Sequence, residues 1–202
     1  FSKLGIKDAL LIDSTGIYKD KTKLKLHLNK YIKKVILTAP GNSMPNIVYG
    51  VNHKKFNPQK EHIFSAASCT TNAIAPILYV INKSKKIIKG HIETIHAYTN
   101  DQNLLDNMHS KNRRGRSAAI NMVITSTGAG KAISKIMPNL DGKLTANAIR
   151  VPTPNGSLAV MSLDLKEKTS LEEINEILRK SSLSGELVNQ IKYSINEELV
   201  SN

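Results

Sequence analysis

Hydrophobic and polar positions follow two different patterns along the chain, and each pattern predicts a different kind of sheet. Residues 9–13 and 34–38 are short, nearly continuous apolar runs, and a helix-compatible stretch at about 21–31 lies between them. Apolar runs that alternate with a helix are typical of parallel strands buried on both faces. Further strands are predicted at 46–51 and 62–66. The first part of the chain therefore predicts a parallel sheet.

The rest of the chain alternates apolar and polar residues, at 91–98, 145–151 and 157–165. Such alternation predicts strands of an antiparallel sheet with one exposed face. The change of pattern places a domain boundary near residue 67, between domains at 1–66 and 67–202.

Three helices are predicted in this second part. One runs from Cys69 to about residue 81 and contains Pro76, which predicts a kink or a late start. A second follows Gly128 and ends before Pro138. A third, at about 171–180, begins with the capping-box residues Ser170 and Glu173. The sequence thus predicts an α/β protein.

Composition narrows the class of protein. The 202 residues are 40% hydrophobic, which is typical of a folded chain, and no apolar run approaches the ~20 residues of a membrane span. The first residues lack the apolar region of a signal peptide. A single cysteine excludes an internal disulfide and a cysteine-based zinc site, and we expect a reducing, cytoplasmic setting.

The formal net charge of +13 raises the hypothesis of nucleic-acid binding. Most of the lysines are scattered singly or in pairs, and no aromatic residues alternate with them to stack against bases. Nucleic acid is therefore not required as a partner, and the charge is consistent with a solvated lysine-rich surface. Salt-dependent RNA binding by the folded protein would favour the other interpretation.

Two residue types suited to nucleophilic chemistry stand out. Cys69 follows a predicted strand and opens a predicted helix, where the helix dipole and free N–H groups lower a thiol pKa and can bind an oxyanion. His96, in a strand pattern, is a candidate base for that thiol. A buried structural cysteine and a core histidine remain the alternatives, because spacing alone does not select His96 among six histidines.

Several positions are suited to anions. Arg113, Arg114 and Arg116 form a basic turn, and Thr127-Gly128 opens a helix, where hydroxyls and N–H groups suit phosphate. Arg150 lies in an apolar strand, and either a phosphate or a structural salt bridge is a suitable partner for it. No complete glycine-rich phosphate loop and no metal-ligand spacing is present, so nucleotide hydrolysis is not predicted and no metal is expected.

Five motifs in register resemble the glyceraldehyde-3-phosphate dehydrogenase family. In chain order they are Ala-Ser-Cys-Thr-Thr-Asn at 67–72, His-Ala-Tyr-Thr-Asn-Asp-Gln at 96–102, Ser-Thr-Gly-Ala at 126–129, Pro-Asn-Leu-Asp-Gly-Lys-Leu at 138–144 and Arg-Val-Pro-Thr-Pro-Asn at 150–155. The similarity extends over almost the whole chain. It implies that residues 1–66 are the remnant of a dinucleotide-binding (Rossmann) domain and that 67–202 belong to an α+β catalytic domain with a largely antiparallel sheet.

The resemblance implies a role for each matching position. Cys69 matches the nucleophile that forms a thioester, and His96 matches its base. The positions that match substrate- and phosphate-binding residues are Ser68, Thr70, Thr99, Arg114, Thr127, Gly128 and Arg150. The positions that match residues lining the cofactor are Thr15, Gly16 and Thr38. The implied reaction oxidises glyceraldehyde 3-phosphate with NAD, or alternatively NADP, and inorganic phosphate to 1,3-bisphosphoglycerate.

The resemblance also implies a homotetramer, because residues at about 98–120 match a loop that contacts a neighbouring subunit's cofactor. The family's glycine-rich loop and its C-terminal helix have no counterpart in these residues, so we expect the 202-residue chain alone to be inactive. Asn107-Met108 departs from the Leu-Pro pair of NAD-specific members and leaves the cofactor preference open. Gly156 replaces a usual valine.

Two other enzyme classes remain as alternatives. An erythrose-4-phosphate dehydrogenase of the same family would share the cysteine and the histidine, and turnover of the two aldehydes would separate these activities. A cofactor-free thiol hydrolase would use the same pair but would leave Thr127, Arg114 and Arg150 without a role.

Overall fold

The computed structural model describes residues 2–200, which form two β-sheets with helices packed against them. The strands are β1 (Ala9–Asp13), β2 (Ile32–Leu37), β3 (Ile63–Ser65), β4 (Ile87–Ala97), β5 (Val123–Thr125), β6 (Leu144–Val151) and β7 (Ser157–Leu165). The α-helices are α1 (Lys21–Leu24), α2 (Cys69–Lys85), α3 (Ala129–Ile136) and α4 (Leu171–Leu183). Short 3₁₀ turns lie at Ser2–Leu4, Lys25–His27, His53–Lys55, Asn112–Gly115 and Pro138–Leu140.

The first sheet is parallel throughout, in the order β1-β2-β3. Its small core is formed by Leu24 of α1 together with Val35, Leu37 and Ile63 from the strands, all 0–1% exposed. The predicted parallel arrangement is therefore confirmed. The carboxyl ends of β1 and β2 lie side by side, the edge at which open α/β sheets bind ligands.

The second sheet has the order β5-β6-β4-β7. Its β4–β7 and β5–β6 pairings are antiparallel, whereas the central pairing of β4 with β6 is parallel. The predicted α/β class, with a parallel sheet followed by a largely antiparallel one, is confirmed. The two sheets lie on either side of residue 67, and we keep the division at that residue as a proposal.

One face of the second sheet packs against α2 and α3. Ile74 and Leu78 of α2 meet Ile92 of β4 and Ile133 of α3 in a continuous core, and all four side chains are 0–1% exposed. Burial of apolar side chains of this size stabilises a fold by about 1.5–3 kcal/mol each. This core fixes α2, and with it Cys69, against the strand that carries His96.

Two predicted elements are wrong. The helix expected at 21–31 ends at His27, because the Asn29 side chain accepts hydrogen bonds from the N–H groups of Tyr31 and Ile32 and starts the next strand. The strand expected at 46–51 is a single bridge at Asn46 followed by a turn.

That turn is held by a buried side chain. The amide of Asn52, which is 3% exposed, accepts from the Val48 N–H at 2.8 Å and donates to the Asn46 carbonyl at 2.9 Å. Both departures therefore have one cause: an asparagine side chain replaces the backbone partners of a longer helix or strand.

The helix at Cys69 forms as predicted but is longer. It begins at Cys69, so the late start expected from Pro76 is wrong, and it continues through Pro76 to Lys85. Pro76 is buried in the core, where packing offsets the loss of one backbone hydrogen bond. The other two predicted helices are observed, and α4 extends to Leu183.

Candidate active site

A sharp turn between β3 and α2 presents Cys69. Ala67 adopts a left-handed conformation with φ 59°, which is uncommon outside glycine. The Asn72 side chain holds this turn by donating to the carbonyls of Ala66, at 2.7 Å, and Ser68, at 2.9 Å. The chain thus reverses within two residues and leaves the thiol exposed at the first position of the helix.

Ser68 is the N-cap of α2. Its Oγ accepts a hydrogen bond from the N–H of Thr71 at 3.0 Å. In the described part of the chain, no acceptor takes the N–H groups of Cys69 and Thr70. Two free donors and the positive end of the helix dipole therefore face the space beside the thiol, where they can stabilise negative charge.

His96 lies beside Cys69, near the end of β4. Its Nε2 is 3.5 Å from the Cys69 Sγ, and its Nδ1 is 2.7 Å from the carbonyl oxygen of Ala97. A carbonyl only accepts, so we assign the ring proton to Nδ1, which leaves Nε2 free to accept a proton from the thiol. The structure brings together the two residues that the sequence singled out.

Arg150 completes this cluster. It is the register partner of His96 in the parallel pairing of β4 with β6. Its NH1 donates to the Ala97 carbonyl at 2.9 Å and contacts the His96 Nδ1, because both groups aim at the same oxygen. Burial, and then the charge of Arg150, lower the pKa of His96 below its usual range, so the imidazole is neutral at neutral pH.

A pocket of about 410 Å³ opens in front of this cluster. Cys69, Thr70, His96 and Thr99 line one side, and residues 154–157 line the other. The pocket therefore places a thiol, an imidazole and five hydroxyl side chains around one space. Its size suits a molecule of a few carbon atoms with a polar substituent.

Arg114 is held behind the pocket. Only 8% of Arg114 is exposed. Its Nε and NH2 donate to the Thr125 hydroxyl at 3.2 and 2.7 Å, and its NH1 forms an ion pair with Asp101. After burial, the charge of Arg114 is the next cause that lowers the pKa of Arg150. Two guanidinium groups that influence each other in this way make this part of the site favourable for an anion.

Thr127 and Gly128 lie at the start of α3, as predicted. The Thr127 hydroxyl accepts from the Ala129 N–H at 3.2 Å, and Gly128 is the N-cap residue. Neither residue lines the pocket of Cys69, and neither does Ser68. They follow directly after β5, which runs antiparallel to the Arg150 strand, so they lie beyond Thr125, the residue of β5 that pairs with Ala148.

The three predicted cofactor positions lie at the carboxyl ends of β1 and β2. Thr15 donates from its hydroxyl and its N–H to Asp13, at 2.7 and 3.0 Å, and Thr38 donates to the Asp13 carbonyl at 3.3 Å. Burial alone would raise the pKa of Asp13, but the bonds from Thr15 and His27 hold it below its usual range. Gly16, with φ 74°, adjoins open space.

Sequence reasoning missed several contributors to this site. They are the Ala97 carbonyl, the Thr125 hydroxyl, the Asp101 carboxylate, the Asn72 amide and the pocket-lining Thr94, Asn155 and Gly156. Asn72, Asp101 and Asn155 belong to the motifs quoted above, so a signal for them existed. A backbone carbonyl carries no signal in a sequence.

Residues 2–200 contain no group of three or more histidine, cysteine, aspartate or glutamate side chains arranged to hold a metal ion. In the same residues, no helix combines the length and apolar character that crossing a bilayer requires.

The family model for the glyceraldehyde 3-phosphate dehydrogenase C-terminal domain matches residues 68–202. A glyceraldehyde-3-phosphate dehydrogenase-like protein of Pseudomonas aeruginosa is 52% identical over 100% of this chain and 44% of its own length. Glyceraldehyde-3-phosphate dehydrogenase 2 of Trichormus variabilis is 47% identical over 92% of this chain and 55% of its own length.

A third relative, glyceraldehyde-3-phosphate dehydrogenase of Zymomonas mobilis, is 41% identical over 98% of this chain and 58% of its own length. The chain thus spans about half the length of the curated relatives that it matches. On the family match and these identities, the chain belongs to the glyceraldehyde-3-phosphate dehydrogenase family.

Proposed function

We propose that this chain carries the catalytic centre of a phosphorylating glyceraldehyde-3-phosphate dehydrogenase. The reaction oxidises glyceraldehyde 3-phosphate with NAD+, or alternatively NADP+, and inorganic phosphate to 1,3-bisphosphoglycerate. One observation carries the proposal: the Cys69 Sγ lies 3.5 Å from an imidazole nitrogen whose partner nitrogen is fixed by the Ala97 carbonyl. This arrangement supports a nucleophile with its base.

The first step is the attack of Cys69 on the aldehyde carbon. His96 accepts the thiol proton at Nε2, which its lowered pKa keeps unprotonated at neutral pH. The new carbon–sulfur bond gives a hemithioacetal, and its oxygen takes the electron pair of the C=O bond. The free N–H groups of Cys69 and Thr70 and the imidazolium are placed to stabilise that oxygen.

The second step converts the hemithioacetal to a thioester on Cys69. The hemithioacetal carbon loses a hydride, for which a bound nicotinamide supplies the acceptor. His96 holds the hydroxyl proton as the C=O bond re-forms. Inorganic phosphate then attacks the thioester carbon, the carbon–sulfur bond breaks, and the Cys69 thiolate leaves with the acyl phosphate as product.

The basic and hydroxyl residues provide two phosphate positions. Thr99, which lines the pocket, and Arg150 are assigned to the phosphate of the substrate. Residues at the two helix starts are assigned to the attacking inorganic phosphate, together with the arginine behind the pocket: Ser68, Thr70, Thr127, Gly128 and Arg114. The proximity of the two guanidinium groups supports a bound anion in their vicinity.

The carboxyl ends of β1 and β2 fit half of a dinucleotide. Hydroxyl groups of Thr15 and Thr38 and the open space beside Gly16 lie at this edge. An edge with small and hydroxyl-bearing residues lets a ligand approach the backbone closely. We assign these three residues to the cofactor.

We further propose that the protein is a homotetramer, as the resemblance implies. The loop at 98–120 exposes large apolar side chains with no covering in the described chain: Leu104, Leu105, Met108 and Ile120 are 59–95% exposed. Arg113 and Arg116 lie in the same loop. A neighbouring subunit would cover such a surface.

Substitution of the two central residues tests the proposal. In the intact protein, Cys69→Ser should abolish phosphate-dependent NADH formation from glyceraldehyde 3-phosphate, and His96→Gln should lower kcat/KM by about 10²–10⁴-fold. His62→Gln, which changes an exposed histidine that does not line the pocket of Cys69, is the matched control and should retain activity. Normal turnover by Cys69→Ser would reject the mechanism, and faster oxidation of erythrose 4-phosphate would change the assigned substrate.

A further inference from the structure

A second basic cavity lies between the end of α2 and the 3₁₀ turn Pro138–Leu140. Its volume is about 730 Å³, and it is separate from the pocket of Cys69. Four lysines line it: Lys55, Lys83, Lys86 and Lys143. We call this cavity the lysine groove.

The charge in the lysine groove is unbalanced. No carboxylate is among its described lining residues, and Lys55, Lys83 and Lys86 form no ion pair in residues 2–200. Five lysines elsewhere in the same residues are paired with carboxylates, among them Lys54 with Glu186 and Lys85 with Glu173. Four like charges around one space repel each other, and a bound anion relieves that repulsion.

The helix dipole does not account for this cluster. A helix C-terminus favours cations, which would explain Lys83 and Lys86 at the end of α2. Lys55 comes from a different 3₁₀ turn, and Lys143 precedes β6, where its Nζ is 3.4 Å from the Ile87 carbonyl. Three separate segments therefore bring ammonium groups to one cavity.

The backbone at Lys86 is a second, independent observation. Lys86 is the C-cap of α2 and has φ 54°, a conformation for which glycine is the usual choice. A side chain in this conformation is strained relative to glycine. Strain at a residue that lines a cavity points to a role for its side chain there.

The floor of the groove is apolar and aromatic. The groove is also lined by Tyr79, Ile136, Met137 and Pro138, and we call these four residues its floor. An inorganic anion would leave this floor unused, whereas an organic anion would cover it. We propose that the lysine groove binds a small organic polyphosphate, with its phosphates on the lysines and its ring or carbon skeleton on the Tyr79 side.

Differential lysine labelling tests this site. The purified protein is acylated with an amine-reactive reagent with and without ATP, and the modification of each lysine is measured by mass spectrometry. We expect ATP to protect the four groove lysines at least about fivefold, and to leave the exposed Lys23, Lys25 and Lys131 unprotected. Equal protection of all exposed lysines would show non-specific charge attraction and overturn the proposal.

Two further measurements separate the groove from the active centre and test its floor. Lys83→Glu with Lys86→Glu should weaken ATP protection of Lys55 and Lys143 about tenfold or more, and the matched pair Lys23→Glu with Lys25→Glu should not. Alkylation of Cys69 should stay unchanged in both double variants, which confirms that they fold.

Tripolyphosphate should protect less than ATP; equal protection would reject the role of the apolar floor.

Discussion

His96 and Arg150 are direct neighbours across the parallel pairing of β4 with β6, and both donate to the carbonyl oxygen of Ala97. This arrangement places a permanent positive charge beside the imidazole. The charge disfavours the imidazolium, so it keeps Nε2 available as an acceptor for the thiol proton. A residue 54 positions away in the sequence therefore contributes, beside burial, to the lowered pKa of the base.

Removal of the Arg150 charge should raise the pKa of His96. Burial is the larger cause of the lowered pKa and the arginine is a smaller one, so Arg150→Met should restore only part of the difference from the usual value. Arg150→Lys keeps the charge and should leave the pKa low. An NMR titration of the His96 ring, with the exposed His62 as reference, measures both; equal pKa values in all three proteins would contradict the prediction.

The helix caps Ser68 and Ser170 can be compared to find out whether the Ser68 cap contributes to the reactivity of Cys69 as well as to stability. Ser68→Ala removes the acceptor of the Thr71 N–H and should lower the free energy of unfolding by about 1 kcal/mol, or the melting temperature by roughly 2–4 °C. Ser170→Ala removes the equivalent bond to the Glu173 N–H at the start of α4. It should cost a similar amount.

The two cap variants should differ in chemistry. Ser68 adjoins Cys69, so its loss should slow alkylation of the thiol by iodoacetamide, whereas Ser170→Ala should not. Thermal unfolding and alkylation rates at fixed pH give the comparison. The same alkylation rate in both variants would show that the cap supports the helix alone.

The elements that could be predicted from the sequence are those whose stability is local. α2 has a serine cap followed by a run of apolar residues, and β4 has strict alternation, so each is visible in its own stretch. The predictions of a helix at 21–31 and of a strand at 46–51 were wrong. Side-chain hydrogen bonds between Asn29 or Asn52 and the backbone end these two segments early. Apolar spacing does not record such bonds.

The same distinction applies to the candidate site: its residues could be predicted, but their arrangement in space could not. Cys69 and His96 were found by residue type and motif, but the distance between them follows from the packing of α2 on β4. The parallel register that joins His96 to Arg150 could not be predicted, because alternation favours an antiparallel sheet. The Ala97 carbonyl, which orients both side chains, is backbone and has no sequence signature.

The backbone conformation of residue 156 explains why a glycine occupies this position, which the sequence alone did not. Its φ of 80° is left-handed, and its carbonyl accepts from the Ala97 N–H at 3.1 Å. Gly156→Val, which introduces the residue usual at this position in the family, should therefore lower the free energy of unfolding by about 1–2 kcal/mol. Urea unfolding measures the loss, and unchanged stability would contradict the left-handed conformation.

Gly185→Val is the matched control for Gly156→Val. Gly185 has φ 86° with open space around it, so a similar loss of stability is expected there. Only Gly156 lines the pocket of Cys69, and only its substitution should change the rate of thiol alkylation.

An ion pair between Lys85 and Glu173 joins the end of α2 to the start of α4. Lys85 is 7% exposed, so Glu173→Gln leaves a nearly buried ammonium without its counter-charge and should destabilise the protein at pH 7. Hydrogen bonds from Lys85, and then from Thr169, lower the pKa of Glu173 from its ordinary value of 4.5. The stabilisation is therefore present above that value and is lost as the pH falls through the lowered pKa.

Thermal unfolding of the parent and of Glu173→Gln at pH 7 and at pH 3 checks this dependence. The difference in melting temperature should be clear at pH 7 and should shrink at pH 3, where protonation removes the carboxylate of the parent protein as well. Glu176→Gln is the control, because within residues 2–200 Glu176 pairs only with Arg179 and Lys180 on the exposed surface of the same helix. It should have little effect at either pH, since exposed pairs within a helix contribute little. A difference at pH 3 as large as that at pH 7 would mean that Glu173 acts through packing rather than through its charge.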